Sequence, residues 1–264
     1  MADVFISGSG VFTPPHVITN DELVASFNAY VELFNAENAE AIAAGEIEAK
    51  APSSSDFIVA ASGIEQRYVM DKDGTLDPTR MCPRYAPRAD DEPSLMAEMG
   101  CAAAKDALAQ AGVDASDVDL VIVAASNMER AYPAMAVEIQ QLLGAGGFAF
   151  DMNVACSSAT FGIQAAADMI RGGSATRALV ISPEVTSGHL EWRDRDCHFI
   201  FGDVATAVLL EADDIAQNPQ FKVLSTACAT QFSNNIRNNL GFLRRSHAQM
   251  DDRRDMQFMQ NGRK

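Results

Sequence analysis

Apolar runs too short for helices and too continuous for surface strands alternate with helix-length segments along the middle of this chain. The first three are "DVDLVIVAAS" (residues 117–126), "GFAFDMNVA" (147–155) and "RALVISPE" (177–184). A strand that is apolar on both faces needs cover on both. The segments between and before them supply it. "PSLMAEMGCAAAKDALAQAGV" (93–113), "AMAVEIQQLLG" (134–144) and "SSATFGIQAAADMIRGG" (157–173) are helical in pattern and stop at Gly112, Gly144 and Gly172-Gly173. "DVATAVLLEA" (203–212) and "FKVLSTACAT" (221–230) add a fourth and a fifth strand. The expected fold class is α/β, a layered sheet with helices on both faces.

Ahead of this core, "DVFISGSGVFTPP" (3–15) reads as a short strand followed by a Gly-punctuated turn, closed by Pro14-Pro15. "TNDEL" offers a polar N-cap and an acidic first turn, so a helix starts near Asn20; residues 28–50, rich in Ala and Glu, continue as helix. Residues 71–93 hold four of the ten prolines and read as an irregular surface loop. Ala159, Gly162, Ala165, Ala166 and Ala167 leave the helix after residue 156 almost without bulk, which predicts burial between layers.

Composition removes several classes of function. The chain is 48% hydrophobic and 21% charged, as expected of a folded soluble protein. Its longest apolar run, "LVIVAA" (120–125), falls far short of the ~20 residues that cross a bilayer. The N-terminus has no basic segment leading into an apolar core, so no membrane role and a cytoplasmic location are expected. Five scattered cysteines (82, 101, 156, 197, 228) with no CxxC pair argue against a disulfide framework and against a metal site. A net charge of −16 is wrong for a nucleic-acid partner. The charge is uneven: from Arg237 to Lys264 seven Lys/Arg stand against three Asp, a basic surface or a dock for an acidic partner.

Cys156 carries the chemical interest. In "DMNVACSSATFGI" (151–163) an apolar strand passes directly into the small-residue helix, with the thiol at the junction. The free N–H groups and positive dipole end of a helix N-terminus stabilise an anion, and so a thiolate. Small neighbours on both sides leave a substrate room to reach the sulfur. The other reading is a buried, inert cysteine. The arrangement is mechanically similar to the nucleophile elbow of serine hydrolases, although GxSxG is missing.

Four stretches in order, "ISGSGVFTPPHVITNDEL" (6–23), "SGIEQRYV" (62–69), "VACSSATFGI" (154–163) and "FGDVATAVLL" (201–210), resemble β-ketoacyl-acyl-carrier-protein synthase III. The resemblance runs from residue 4 to the end of the chain. It implies the thiolase-like layered α/β/α/β/α fold, with residues 1–215 as the N-terminal half and 216–264 as the start of an incomplete second half. It implies that Cys156 takes an acyl group from acyl-CoA and passes it to malonyl-acyl carrier protein with loss of carbon dioxide, in fatty acid biosynthesis. Its backbone N–H would form half of an oxyanion hole. Acyl carrier protein, acyl-CoA and a second copy of the chain are the implied partners, and no cofactor is implied.

Further positions follow from the resemblance alone. Phe57 and Arg195 stand where the family holds the two faces of the CoA adenine. Ala61 stands where an arginine often follows, so one phosphate contact is missing. Tyr132 matches the aromatic that closes the acyl pocket from the neighbouring subunit, and Thr186 matches a larger pocket-lining residue. "FMQNGRK" (258–264) resembles the signature before a long helix of the second half. The family chain continues beyond it to a histidine and an asparagine that hold the enolate, and a glycine that completes the oxyanion hole. A truncated enzyme is therefore expected. His16, His189, His198 and His247 read as ordinary loop or surface histidines and do not replace that pair. Two alternatives remain, a starter-unit or medium-chain synthase of secondary metabolism and a non-catalytic dimerisation partner.

Overall fold

A computed structural model of the protein describes residues 2–238 and 258–260. In chain order it holds β1 (Val4–Phe12), β2 (His16–Thr19), α1 (Asn20–Glu37), α2 (Ala39–Ala43), α3 (Ser55–Ser62), β3 (Gln66–Val69), α4 (Asp73–Leu76) and α5 (Leu95–Ala111). There follow β4 (Leu120–Ala124), α6 (Met135–Leu143), β5 (Phe148–Met152), α7 (Ser158–Arg171), β6 (Arg177–Val185) and β7 (Asp203–Ala212). Short strands β8 (Phe221–Lys222), β9 (Ile236–Asn238) and β10 (Phe258–Gln260) end the series. The described residues divide into two compact units. The first holds the chain up to Thr13, Pro87–Glu184 and Val204–Thr230; the second holds Pro14–Ala86, Val185–Asp203 and the described residues from Gln231 on. The division at residue 215 proposed from the resemblance concerns duplicated halves and is a different partition.

The first unit is built on a six-stranded sheet of order β5-β4-β6-β7-β1-β8. β4 runs parallel to β5 and β6, whereas β1 is antiparallel to β7 and β8. All five residues of β4 are buried, as its unbroken apolar run requires. Leu120, Ile122 and Ala124 cluster with Val180 of β6 and with Ala166, Ala167 and Ile170 of α7. Side chains alternate along a strand, so Ile181 points to the other face. There it meets Gly100 of α5, which also abuts Ile139 of α6.

Four expectations need correction. β1 continues through "SGSG", with a register shift between Ile6 and Gly8, where a turn was expected, because Gly8 and Gly10 admit α5: a Cβ on either would overlap the carbonyl oxygen of Ala107 or Ala103. α7 is covered on one side only among the described residues, with Ser158, Gly162, Ala166, Ala167 and Ile170 buried and Ala159 exposed. The fifth strand shrinks to Phe221–Lys222, since only Phe5 and Ile6 of β1 pair with it; Phe221 is 71% and Leu224 82% exposed. Residues 28–50 are not one helix, because α1 stops at Glu37 and the chain from Ala44 to Ser54 has no regular structure. α1 itself starts as expected, with Thr19 and Glu22 forming a reciprocal capping box. The antiparallel β2–β3 pair, whose strands are separated in the chain by α1, α2 and α3, and α3 itself are not among the elements read from the sequence.

The second unit packs Ile18, Leu23, Phe27, Val31, Ile58, Trp192 and Phe199 into its own core. His198 is fully buried in that unit, 4.5 Å edge-on from the ring of Phe27. Burial, with the cations of Arg67 and Arg195 adding to it, pushes its imidazole down to about 3. The unfolded chain takes up a proton near the ordinary histidine value of ~6.5, which the folded chain refuses until far lower pH. Stability contributed by this site is thus present above that value and lost as pH falls, by up to about 1.4 kcal/mol per pH unit. His198→Phe should lose less stability than the parent between about pH 6 and about pH 4 in urea unfolding. Equal losses in both proteins would refute this.

Candidate active site

Cys156 sits on a tight elbow between β5 and α7. Ala155 has φ of +49°, a left-handed conformation that costs a residue with a Cβ about 1 kcal/mol or more. Three side chains hold it there. Asn153 accepts from the Ala155 N–H at 2.9 Å and donates to the Ser126 carbonyl at 2.8 Å. Ser158 accepts from the Val154 N–H at 2.9 Å, and its hydroxyl lies 2.7 Å from the Ala155 carbonyl and 3.2 Å from that of Ala125. Glu184 receives both the N–H and the hydroxyl of Ser126, each at 2.6 Å. Burial raises the Glu184 carboxyl above the usual carboxylate range, against the lowering effect of those two bonds.

The thiol lies one residue before the N-cap, Ser157, whose side chain makes no capping bond to α7. Cys156 is exposed, while Cys101 and Cys197 are buried. Burial pushes the Cys101 thiol up to about 11 and that of Cys197 higher still. The arrangement therefore presents one accessible sulfur on a braced, strained turn beside a helix N-terminus. α7 can approach the sheet this closely because residue 162 is glycine: a Cβ there would lie 2.8 Å from Val180 Cγ1 and 3.0 Å from Ala124 Cβ.

Of the remaining expected site residues, Phe57, Arg195 and Thr186 belong to the second unit, and Tyr132 to the first. Phe57 on α3 and Arg195 are brought together, with the guanidinium carbon 3.9 Å from the ring centroid. Phe57 is braced edge-on by Phe199 at 6.0 Å, and Arg195 Nε donates to the Pro52 carbonyl at 2.8 Å. The segment that carries Pro52 returns along α1, where Asn35 pairs with both backbone groups of Lys50 and Asn28 with both of Ser53. The Ala/Glu-rich stretch 28–50 thus ends in a strap beneath Arg195. Thr186 is buried and its hydroxyl donates to the Gly202 carbonyl, which leaves its methyl as the group offered to a neighbour. Next to it Asp203 accepts from the N–H and hydroxyl of Ser187 and from the Met70 N–H, and burial raises its carboxyl. Tyr132 is 85% exposed in the loop between β4 and α6, and Ala61 is exposed on α3.

His198 is a core residue rather than a surface one, and burial also lowers His189. His247 and most of the basic segment 237–264 lie outside the described residues. No cluster of three metal-ligating side chains, and no helix long and apolar enough to cross a membrane, occurs among the described residues. The bracing residues Asn153, Ser158 and Glu184 were missed in the sequence. Asn153 alone had a local signal, an Asx residue two positions before a backbone N–H that must turn.

A sequence model of 3-oxoacyl-[acyl-carrier-protein (ACP)] synthase III matches residues 150–231, which include the elbow, α7, β6 and β7. The chain is 56% identical over 240 residues to the beta-ketodecanoyl-[acyl-carrier-protein] synthase of Pseudomonas aeruginosa, covering 90% of this chain and 69% of that one. It is 35% identical over 223 residues to the beta-ketoacyl-[acyl-carrier-protein] synthase III of Granulibacter bethesdensis, covering 84% and 55%. Among solved structures, the 3-oxoacyl-[acyl-carrier-protein] synthase III of Aquifex aeolicus matches with a TM-score of 0.58 at 28% identity, over 79% of this chain and 53% of that one. The 3-oxoacyl-(acyl carrier protein) synthase III of Pseudomonas aeruginosa matches at 0.59 and 26%, over 82% and 54%. The fold is thus the thiolase-like α/β fold of these enzymes, and the chain spans about half the length of most of these relatives.

Proposed function

The chain belongs to the 3-oxoacyl-acyl-carrier-protein synthase III family, and on that premise we propose that its described residues form the acyl-accepting part of a condensing acyltransferase. The observation that carries this reading is the exposed Cys156 on its braced elbow, inside the segment matched by the family. The thiolate attacks the carbonyl carbon of an acyl-CoA. The carbonyl electrons move to oxygen, return, and expel CoA as its thiolate, leaving an acyl-Cys156 thioester. Sulfur replaces sulfur, so little free energy is stored or lost. Malonyl-acyl carrier protein then loses carbon dioxide, its enolate carbon attacks the thioester, and Cys156 leaves as thiolate. None of the residues described here is assigned to stabilising that enolate.

The acyl group is medium-chain. A β-ketodecanoyl product has ten carbons, of which malonyl supplies two after decarboxylation, so the relative's name implies an eight-carbon primer. A threonine where the family often has a larger residue suits a deeper pocket. The test is competition between acetyl-CoA and octanoyl-CoA, read as free CoA released and as intact mass. Preferential loading of octanoyl is expected; acetyl alone would return the reading to the short-chain starter of fatty acid synthesis, and no loading would remove the enzyme reading.

CoA is held by its adenine between Phe57 and Arg195, the guanidinium lifting from the phenyl ring to admit the base. Arg195→Ala should weaken CoA binding about tenfold, a cation–π and stacking contribution of roughly 1–2 kcal/mol. Calorimetric titration giving equal affinity in both proteins would count against the assignment. β5 is an edge strand of its sheet, with Phe148 on it and Val137 and Leu142 on α6 exposed. An exposed edge beside an apolar flank is an association surface. A homodimer through this edge is expected at micromolar concentration; a monodisperse monomer by light scattering would oppose it.

A further inference from the structure

We infer that Glu184 is a positioning residue for the Cys156 elbow, acting through Ser126 and Asn153; the inference deepens the acyl-transfer reading and rests on it. Glu184 stands at the end of β6, next to the β4 strand end that carries Ser126. Its two carboxylate oxygens are both taken by one residue, the N–H and the hydroxyl of Ser126. Among the described residues, no arginine, lysine or histidine is among the groups that set its ionisation. A half-buried carboxylate without a cation is an expensive way to fill space, and here it fixes one serine by two bonds. That fixed serine presents its carbonyl to Asn153, and Asn153 presents its own carbonyl oxygen to the N–H of Ala155. Ala155 is the strained residue directly before the nucleophile. The chain of bonds therefore starts in the sheet and ends one peptide from the sulfur. A left-handed non-glycine residue persists only where its surroundings enforce it. β5 has ended at Met152, so the ladder does not reach this far; besides the turn's own backbone bonds, Ser157 N–H to the Val154 carbonyl and Ser158 N–H to the Ala155 carbonyl, Asn153 and Ser158 supply the side-chain bonds that hold it.

The carboxylate acts here as a pair of acceptors and takes no proton from the reaction. Glutamine can keep one acceptor on the Ser126 N–H and meet the hydroxyl with its amide, once that hydroxyl rotates. Alanine leaves both donors without a partner. The test is the rate of Cys156 alkylation by iodoacetamide, followed by peptide mass, together with acyl loading from octanoyl-CoA at varied concentration. Alkylation needs no CoA and no acyl recognition, so it reports the elbow even if the acyl-transfer reading fails and no acyl loading is seen in the parent.

In Glu184→Ala, alkylation and acyl loading at saturating octanoyl-CoA should both fall about tenfold or more, the scale set by sub-ångström to 1 Å misplacement of a reacting group. The octanoyl-CoA concentration for half-maximal loading should stay within about twofold, because CoA is held elsewhere. Glu184→Gln should recover most of the rate. Asn153→Ala cuts the same chain at an exposed residue, and should slow alkylation while leaving the urea midpoint unchanged. An unchanged alkylation rate in Glu184→Ala and Asn153→Ala would overturn the inference. So would a Glu184→Gln protein as slow as Glu184→Ala, since the charge rather than the geometry would then be what matters.

Discussion

Gly10→Ala should destabilise the protein by about 3 kcal/mol or more, a large part of a typical domain's stability. The added methyl would overlap the Ala103 carbonyl oxygen and press on the Asp106 and Ala107 of α5. The Ala103 oxygen and Ala107 nitrogen are backbone atoms and the Asp106 Cβ is fixed to the helix backbone, so no flexible side-chain end can swing aside. α5 would have to lift from β1, and Ala103, Ala104 and Ala107, all fully buried, would lose their contacts together. Gly144→Ala is the control. Gly144 ends α6 with φ of +71° and has nothing within 4 Å of its Cβ position, so only the left-handed conformation is penalised, at roughly 1 kcal/mol. Urea unfolding of both variants checks the difference. Equal, small effects would mean that the helix is not seated on the strand as described.

Cys156→Ala should abolish acyl loading from any acyl-CoA, leaving only background. In the proposed reaction the thiolate is the group that forms and breaks the covalent bond, and no other described cysteine combines its exposure with an elbow of this kind. Ala155 and Ala159 beside it are already small, and the bonds that hold the elbow run through Asn153, Ser158 and backbone groups. The substitution should therefore leave the unfolding midpoint and the CoA affinity unchanged. Residual loading at the parent's rate would transfer the role to another residue.

What could be read from the sequence was set by local chemistry. β4 announces itself because five consecutive apolar residues leave a short segment few alternatives to a buried strand. α1, α5 and α6 follow from caps and periodicity. Cys156 was legible because small residues on both sides of a strand–helix junction are unusual. Gly8 and Gly10 were misread, since a glycine that admits a helix and one that makes a turn look alike in one dimension. Residues 221–230 were misread as a strand because apolar composition does not guarantee a neighbour to pair with. Glu184 was illegible for a different reason: its partner, Ser126, lies 58 residues earlier and meets it only across adjacent strands. The contact of Arg195 with Phe57 likewise needed the resemblance to suggest it and the fold to close it to 3.9 Å.

The central claim is that Cys156 carries the acyl group. The direct measurement is to incubate the protein with octanoyl-CoA, digest it, and locate the acyl group by peptide mass before and after neutral hydroxylamine. One octanoyl group on the peptide that contains Cys156, released by hydroxylamine as a thioester must be, is the predicted result. No adduct from any acyl-CoA, or an adduct on Cys82 or Cys228 with Cys156 unmodified, would contradict it.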